Sequence, residues 1–562
     1  MRRNGKSVVL CGLFWVLCGC GDPVAVEQSV EVKQTLAQRA GAPLFKGMGT
    51  FHMPITTRDT DAQRYFDQGM VLAFGFNHAE SIRSFRAAQT LDSDCAMCFW
   101  GEALATGPNI NVTNNGKAVM TPEERASARA AIDHALTLVD SVTPKERRWI
   151  LALDKRYDGQ RDTPRDPLDR AWADALADMV GAYPDDMTVA SVYAEALMNT
   201  MPWDYWGPSG EAKPDTQAVI ESLERVMAAE PEHPLALHLY IHALEASSNV
   251  QKAEAAADTL ANLVPGSGHL VHMPSHIYFR VGRYQDAALA NIRAADIDEA
   301  YIAECNAQGF YPALYYPHNI HFLWASATMQ GQSELSLKSA RRVVENVRVE
   351  QVEQFPTIQF FRTVPMLSLV RFARWEEILS EPEPHAPFAF ARAIWHYGRG
   401  VAYASMENKE SALKELAAIE RLEPEVDEIF MGNVYPAKSL IGIAKSLLRG
   451  EIAFRSGAMA AAVTSFEQAV AMQDALPYTE PPFWYYPTRQ SLGAALLADG
   501  RAAEAQLVFE ADLEQYPMNG WSLYGLTEAL NAQGHTAPAE AARQRFETVW
   551  QFSDVTLSSS VL

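Results

Sequence analysis

From about residue 60 onward, apolar side chains recur three and four positions apart, in segments rich in Ala, Leu and Glu. That period gathers them on one face of a helix. Tyr65-Phe-Asp-Gln-Gly69 opens one such segment, and Ala79-Glu-Ser81-Ile-Arg-Ser-Phe85-Arg-Ala-Ala88 lies on the next. No run alternates apolar and polar positions with the β-branched enrichment of strands. The pattern therefore predicts an all-α chain built from helix pairs. Length alone suggests several domains, but prolines recur as full stops at Pro184, Pro231, Pro265, Pro424 and Pro517, and repeats explain the length better.

The first unit has an aromatic at position 4 (Tyr65), Gly at 8 (Gly69), a small residue at 20 (Ser81), Phe at 24 (Phe85) and Ala at 27 (Ala88). Gly450, Ala462, Phe466 and Ala469 repeat the spacing, as do Gly493, Ala505, Phe509 and Pro517. Gly400, Ala412 and Pro424 mark another unit, and Trp521 and Gly525 open the last. This resembles the tetratricopeptide repeat, in which small residues let paired helices cross closely and aromatics fill the space between pairs. The resemblance implies a superhelical solenoid of roughly ten to twelve helix pairs over 60–552, at a period of about 34. The expected organisation is a signal peptide at 1–20, a tether at 21–58, repeats with inserted loops at 59–340, further repeats at 341–552 and a frayed tail at 553–562. Such arrays serve many tasks, so the fold leaves function open.

Three stretches interrupt the spacing. Residues 107–121 are rich in Asn and Gly, 201–215 carry Trp203, Tyr205 and Trp206, and 300–317 carry Tyr301, Phe310, Tyr311, Tyr315 and Tyr316. Each is expected to be an inserted loop. Loops on a repeat array gather on one face, often the binding face; alternatively the rings cap apolar surface between repeats.

Of the 14 histidines, His233, His238, His242, His269, His272, His276, His318 and His321 crowd into one part of the chain. Proline and glycine punctuation places unit starts at Pro234, Gly268 and Pro317. In that frame position 5 is His238, His272 and His321, position 9 is His242 and His276, and position 2 is His269 and His318. These positions share a face of the first helix of a pair, which in tetratricopeptide proteins lines the concave groove. Neighbouring first helices pack about 8–10 Å apart, so His238, His242, His272, His276 and His321 are expected to converge, with His269 and His318 as further ligands. Paired imidazoles four residues apart are a metal-binding arrangement on helices. Glu245 and Glu195, on the same face, are candidate ligands, ligand-orienting carboxylates or general bases. Imidazole suits copper or zinc, and no cysteine joins the cluster to make a thiolate site. Five histidines over-supply one ion, so two ions, or one ion with extra hydrogen-bonding histidines, fit better. Whether the site is catalytic stays open. The competing readings are a metal-free pocket for an acidic or aromatic ligand, and a protein- or peptide-binding scaffold. The stretches Phe76-Asn-His78, Leu237–His242, His269–His276 and Tyr316–His321 also resemble a group of bacterial tetratricopeptide proteins of unassigned role.

Cys95-Ala-Met-Cys98 reads as a local disulfide, a copper(I) or zinc pair, or two buried small residues. His78 reads as a cap or surface residue. Gly-rich phosphate loops, Gly-x-Ser-x-Gly and His-Glu-x-x-His are absent from the sequence. The net charge of −22 without a basic stripe argues against nucleic acid.

At the start of the chain, Arg2, Arg3 and Lys6 precede an apolar run from Val8 to Leu17 that is too short to span a bilayer. It ends in Leu17-Cys18-Gly19-Cys20, which resembles a bacterial lipobox; an ordinary secretory signal is the alternative. The resemblance implies acylation of Cys20, a lipid anchor and residence in the cell envelope. Gly21-Asp22 lacks the Asp-next-to-Cys retention pattern, which implies the outer membrane, facing the periplasm. Cys20→Ala should abolish incorporation of labelled palmitate and leave the chain soluble in the periplasm or held as precursor. Palmitate still incorporated into that variant would overturn the lipoprotein reading.

Overall fold

A computed structural model describes residues 34–562 except 115, 116, 208, 209, 306, 308, 310, 355 and 427–434. The expected signal peptide 1–20 with Cys20, the beginning of the expected tether, and Phe310 lie outside the described residues.

The expected helix pairs follow one another from Thr60–Phe74 with His78–Leu91 to Gly520–Ala532 with Thr536–Trp550. Their starts are written locally. Asp59 accepts from the backbone of Asp61 and Ala62, and Thr121 and Thr143 each form a reciprocal cap with a Glu three residues on and Pro at the first helical position. Between pairs, the Phe85 ring is wedged against Gly69 of its own unit and Gly101 of the next; Phe509 does the same between Gly493 and Gly525. This is the tetratricopeptide type of packing, in which the missing Cβ admits the ring.

The pairs wind until distant units touch. Gly47 accepts from the Gly266 amide at 2.8 Å, and Phe51 meets the edges of Phe74 and His233. The segment before the first repeat thus stitches that repeat to the units near 233 and 266. On the other side, Gly282 adopts φ +85°, and a Cβ there would collide with the Pro517 carbonyl. The units between His233 and Gly331 are held from both ends of the chain. Two large apolar clusters meet there, one reaching Tyr278 and Tyr315, the other starting at Phe279 and Phe322. That junction falls ahead of the 340/341 division expected from the repeats.

Some segments depart from expectation. The 107–121 insertion holds a small antiparallel ladder, Thr113–Asn114 with Lys117–Ala118. Much of 300–317 is helical: Tyr284–Cys305 runs through the expected loop start, and a wide turn at Tyr311–Tyr315 leads into Tyr316–Met329. Neither Gly nor Pro interrupts 284–305, so the helix continues despite its aromatics. The tail is docked rather than frayed. Asp554 accepts from the Ser333 and Glu334 amides at the start of Ser333–Glu345, and Leu557 is buried with Trp521 and Phe372. Helix-capping and burial hold what composition left free. Among the described residues no helix is long and apolar enough to cross a membrane.

The glycine packing yields a paired test. Gly101→Leu should lower the urea midpoint by the equivalent of about 1–3 kcal/mol, because the side chain enters space filled by Phe85. Gly181 sits in the helix Arg165–Ala182 with open space where a methyl group would stand, so Gly181→Ala should be neutral or stabilising by up to about 1 kcal/mol. Equal tolerance at both positions would contradict the packing described.

Candidate metal centre

Three helical segments bring the histidines in. Pro234–Leu244 carries His238 and His242 one turn apart. Gly268–His272 and Pro274–Arg280, split where Pro274 lacks an amide hydrogen, carry His269, His272 and His276. Tyr316–Met329 carries His318 and His321. All lie at the junction between the two apolar clusters, and His238, His242, His269, His272 and His276 are at most 4% exposed. They are almost fully buried, even where they border a cleft.

Six histidines form two triads. In the first, His238, His242 and His269 each offer a ring nitrogen within 4.8 Å of the others; in the second, His272, His276 and His318 do the same. The triads adjoin, with ring centres 6.0 Å apart for His242 and His276 and 5.9 Å for His269 and His272.

The backs of the rings are anchored. His238 Nδ1 is 2.6 Å from the Phe74 carbonyl oxygen. His242 Nδ1 and His276 Nδ1 are each 2.6 Å from one oxygen of the Glu245 carboxylate. His272 Nδ1 is 2.6 Å from Asn291 Oδ1, and Asn291 Nδ2 donates to the Ala287 carbonyl, which fixes the amide's orientation. Every one of these partners is an acceptor, so every one of the four Nδ1 atoms carries the hydrogen. In a neutral ring the lone pair is then left on Nε2; His276, whose charged form Glu245 favours, can instead donate from Nε2 to His272 Nε2. His238 Nε2, His242 Nε2 and both ring nitrogens of His269 are buried without a protein partner. His272 Nε2 and His276 Nε2 face each other at 2.8 Å.

Burial, reinforced by neighbouring histidines, holds His238, His269, His272 and His318 well below the usual imidazole range, and burial also lowers His242. His276 goes the other way: burial disfavours its charge, but the Glu245 carboxylate outweighs burial. Glu245 is buried too, yet His276 and His242 hold it well below the usual carboxylate range. Glu480, 3.4 Å from His276 Nδ1, is pushed up to about 8 by burial. With Glu245 and His276 it makes a third group of close donors.

Two of the expected residues stay outside. His321 stacks on Trp324 at 5.0 Å with Phe360 and Phe361 at its edges, and burial lowers it to about 3. The helix face that meets the second triad carries His318 and, one turn on, Phe322, whose ring lies 4.9 Å from His276. His321 is on the adjacent face, so His269 and His318 complete the triads instead of it. Glu195 is in no triad; burial raises it to about 7, with Arg156 pulling against the rise. His78 is half-buried at the start of its helix, 3.3 Å from Asn109 Nδ2. Cys95 and Cys98 form a disulfide at the start of the helix Ala96–Thr106.

Several participants were not assigned to the site from sequence, although Phe76 lies in the stretch Phe76-Asn-His78 and Trp203 in the 201–215 insertion. Phe76 lies among His238, His242 and His269, with ring centres 4.6–5.9 Å away. Trp203 sets its edge toward His242 at 5.3 Å. Both adopt positive φ, 56° and 63°, a conformation a bulky side chain holds only when its surroundings enforce it. Glu480 arrives from 476–483, whose Pro477, Tyr478, Pro481 and Phe483 resemble the other aromatic insertions and were the one available signal. The insertions meet above the site: Trp203 Nε1 donates to Asn111 Oδ1, and Asn111 Nδ2 donates to the Tyr315 hydroxyl. A cleft of about 1460 Å³ opens beside them, with His242, Glu245, His276 and His318 on its floor and Trp203, Trp324, Phe360 and Phe483 on its walls.

No family profile matches the chain, and no curated protein matches it. Solved structures that align include a human IFIT1 dimer with m7Gppp-AAAA, at 12% identity over 88% of this chain and 91% of that one, with a TM-score of 0.32. Yeast Tom70 aligns at 13% identity over 85% and 90%, with a TM-score of 0.26. The apo quorum sensor NprR from B. thuringiensis aligns at 13% over 67% and 99%, with a TM-score of 0.29. Likenesses this distant say nothing of function. The tetratricopeptide-type architecture rests on the helix pairs and Gly–Phe contacts of the chain itself.

Glu245→Ala should destabilise metal-stripped protein by about 1–3 kcal/mol for each of the two imidazole N–H groups it orphans. Glu245→Gln keeps one acceptor and should cost less. Urea unfolding of both variants checks the order, and an equal, negligible cost would remove Glu245 as the anchor of the two rings.

Proposed function

We propose that this chain is a cell-envelope lipoprotein, anchored through Cys20, that binds transition-metal ions on two adjoining histidine triads and presents them to the cleft. The observation that carries the reading is the convergence of buried Nε2 lone pairs whose Nδ1 hydrogens are already committed to acceptors. Lone pairs facing one another at 2.8 Å repel unless a cation lies between them. One proton can serve the His272–His276 pair, but it leaves His238, His242 and His269 facing one another uncompensated. An ion on each triad answers all six rings.

The donor set fits copper or zinc, which accept neutral imidazole. Acceptors behind ligating histidines are the usual means of orienting them and raising their basicity. Three protein ligands with a further position facing a cleft is the arrangement of catalytic rather than structural zinc. A metal held there would supply Lewis acidity and an activated water, while Glu480 is placed to hold a proton beside His276. A protein or peptide in the groove is the other role this architecture serves. Buried, pre-oriented imidazoles favour the ion.

Protein purified without chelator should carry about two equivalents of copper or zinc by mass spectrometry. His238→Ala with His272→Ala should lose both. Because these rings are buried, the single variants His242→Gln and His318→Gln are measured alongside, with circular dichroism to establish that each remains helical. Reloading stripped wild type should raise its melting temperature, as any ligand specific to the folded state does. Helical variants that retain the wild-type metal content would reject the site.

A further inference from the structure

The cleft beside the triads has a composition of its own. His321 stacks on Trp324 with their planes 17° apart, and Phe360 stacks on Tyr435 with 20° between them. Phe483 meets Tyr435 edge-on at 5.2 Å. Together these rings form a continuous aromatic wall. Trp203 and Trp206 line the same cleft. Trp206 is fixed by a hydrogen bond from its Nε1 to the Ala243 carbonyl, and Trp203 by its bond to Asn111. Lys213, the lysine among the lining residues, is ion-paired with Asp204. The walls therefore offer ring faces and little charge, which suits a flat apolar body.

The floor differs. Six imidazoles are neutral ligands, and the carboxylates beside them are Glu245 and Glu480. Two divalent ions bring four positive charges against at most two negative ones. Any ligand completing their coordination from the cleft is favoured if it brings an anionic oxygen.

Resting on the metal reading above, we infer that the cleft takes an aromatic or polycyclic oxyanion, a phenolate or aryl carboxylate, with its ring system against the aromatic lining of the cleft and its charged oxygen toward the triads. The volume of about 1460 Å³ exceeds what a single benzene ring fills and accommodates a multi-ring or substituted body.

The test uses the Zn²⁺-loaded full chain with 2-naphthoate as probe, followed by calorimetry and by quenching of tryptophan fluorescence. Acetate supplies the oxyanion without the ring, and methyl 2-naphthoate supplies the ring without the charge. Metal content is measured on the same samples. The expected result is that 2-naphthoate binds at least about tenfold more tightly than either control. Binding should be lost in chelator-stripped protein. Phe360→Ala and Phe483→Ala should each weaken it about two- to tenfold with zinc content unchanged. Acetate binding as tightly as 2-naphthoate would reduce the cleft to an anion's access route and overturn the inference. So would an ester or a stripped protein that binds equally well, since the ring would then sit without reference to the ions. In all three outcomes intact zinc content leaves the metal site standing. A chain that takes up no metal fails at the site itself, and the inference falls with it.

Discussion

A neutral imidazole has one hydrogen and one lone pair, so deciding where the hydrogen goes decides where the lone pair points. In this chain a carbonyl, an amide oxygen and both oxygens of one carboxylate take the Nδ1 hydrogens of His238, His272, His242 and His276. Much else in the centre of the molecule serves that arrangement. Asn291 is held in place by its bond to the Ala287 carbonyl, the Glu245 backbone carbonyl accepts from Arg280, and the Phe74 carbonyl is made available by the end of its helix. Burying so many polar rings is unfavourable unless something satisfies them. Here the outer half of each anchored ring is satisfied by protein, and the inner half is left to whatever binds.

The solenoid's winding makes this possible. Phe74 and Phe76 belong to the first repeat, and Glu480 to a late one, yet both flank histidines from the middle of the chain. The Gly47–Gly266 and Gly282–Pro517 approaches close the winding on either side. A side chain at Gly282 would push the late repeats outward, and Glu480 travels with them. The strained backbones at Phe76 and Trp203 serve the same end: each turns a ring onto the first triad that an ordinary turn would aim elsewhere.

The repeat register was legible because it is local. Gly69, Phe85 and Gly101 obey a spacing that can be counted along the chain, and unit starts at Pro234 and Gly268 coincide with helix starts. The same register foresaw His238, His242, His272 and His276 on one side. It failed at His321 because equivalent repeat positions need not aim identically: the helix Tyr316–Met329 follows a wide turn at Tyr311–Tyr315 and presents His318 and Phe322 instead. Glu480, and the contacts of Phe76 and Trp203 with particular histidines, were hidden for a different reason. Their placement depends on how the array closes on itself, and pairwise contacts between residues hundreds of positions apart leave no trace in a repeat pattern. Length and aromatic content likewise misjudged 300–317, where an uninterrupted helical stretch reaches Cys305.

Glu245 bridges the two triads. Its oxygens hold one ring from each, so the charge it carries is shared between two ligand sets. A cation on His242 draws the Nδ1 hydrogen of that ring more firmly toward Glu245 and weakens the carboxylate as an acceptor for His276. An ion on one triad, as proposed, would therefore be felt by the other, although the His242 and His276 ring centres lie 6.0 Å apart. Glu480, 3.4 Å from the same His276 Nδ1, is a second carboxyl group that could take up that atom's hydrogen. The late repeats thus bring to the second triad a carboxyl group that burial keeps ready to hold a proton beside His276.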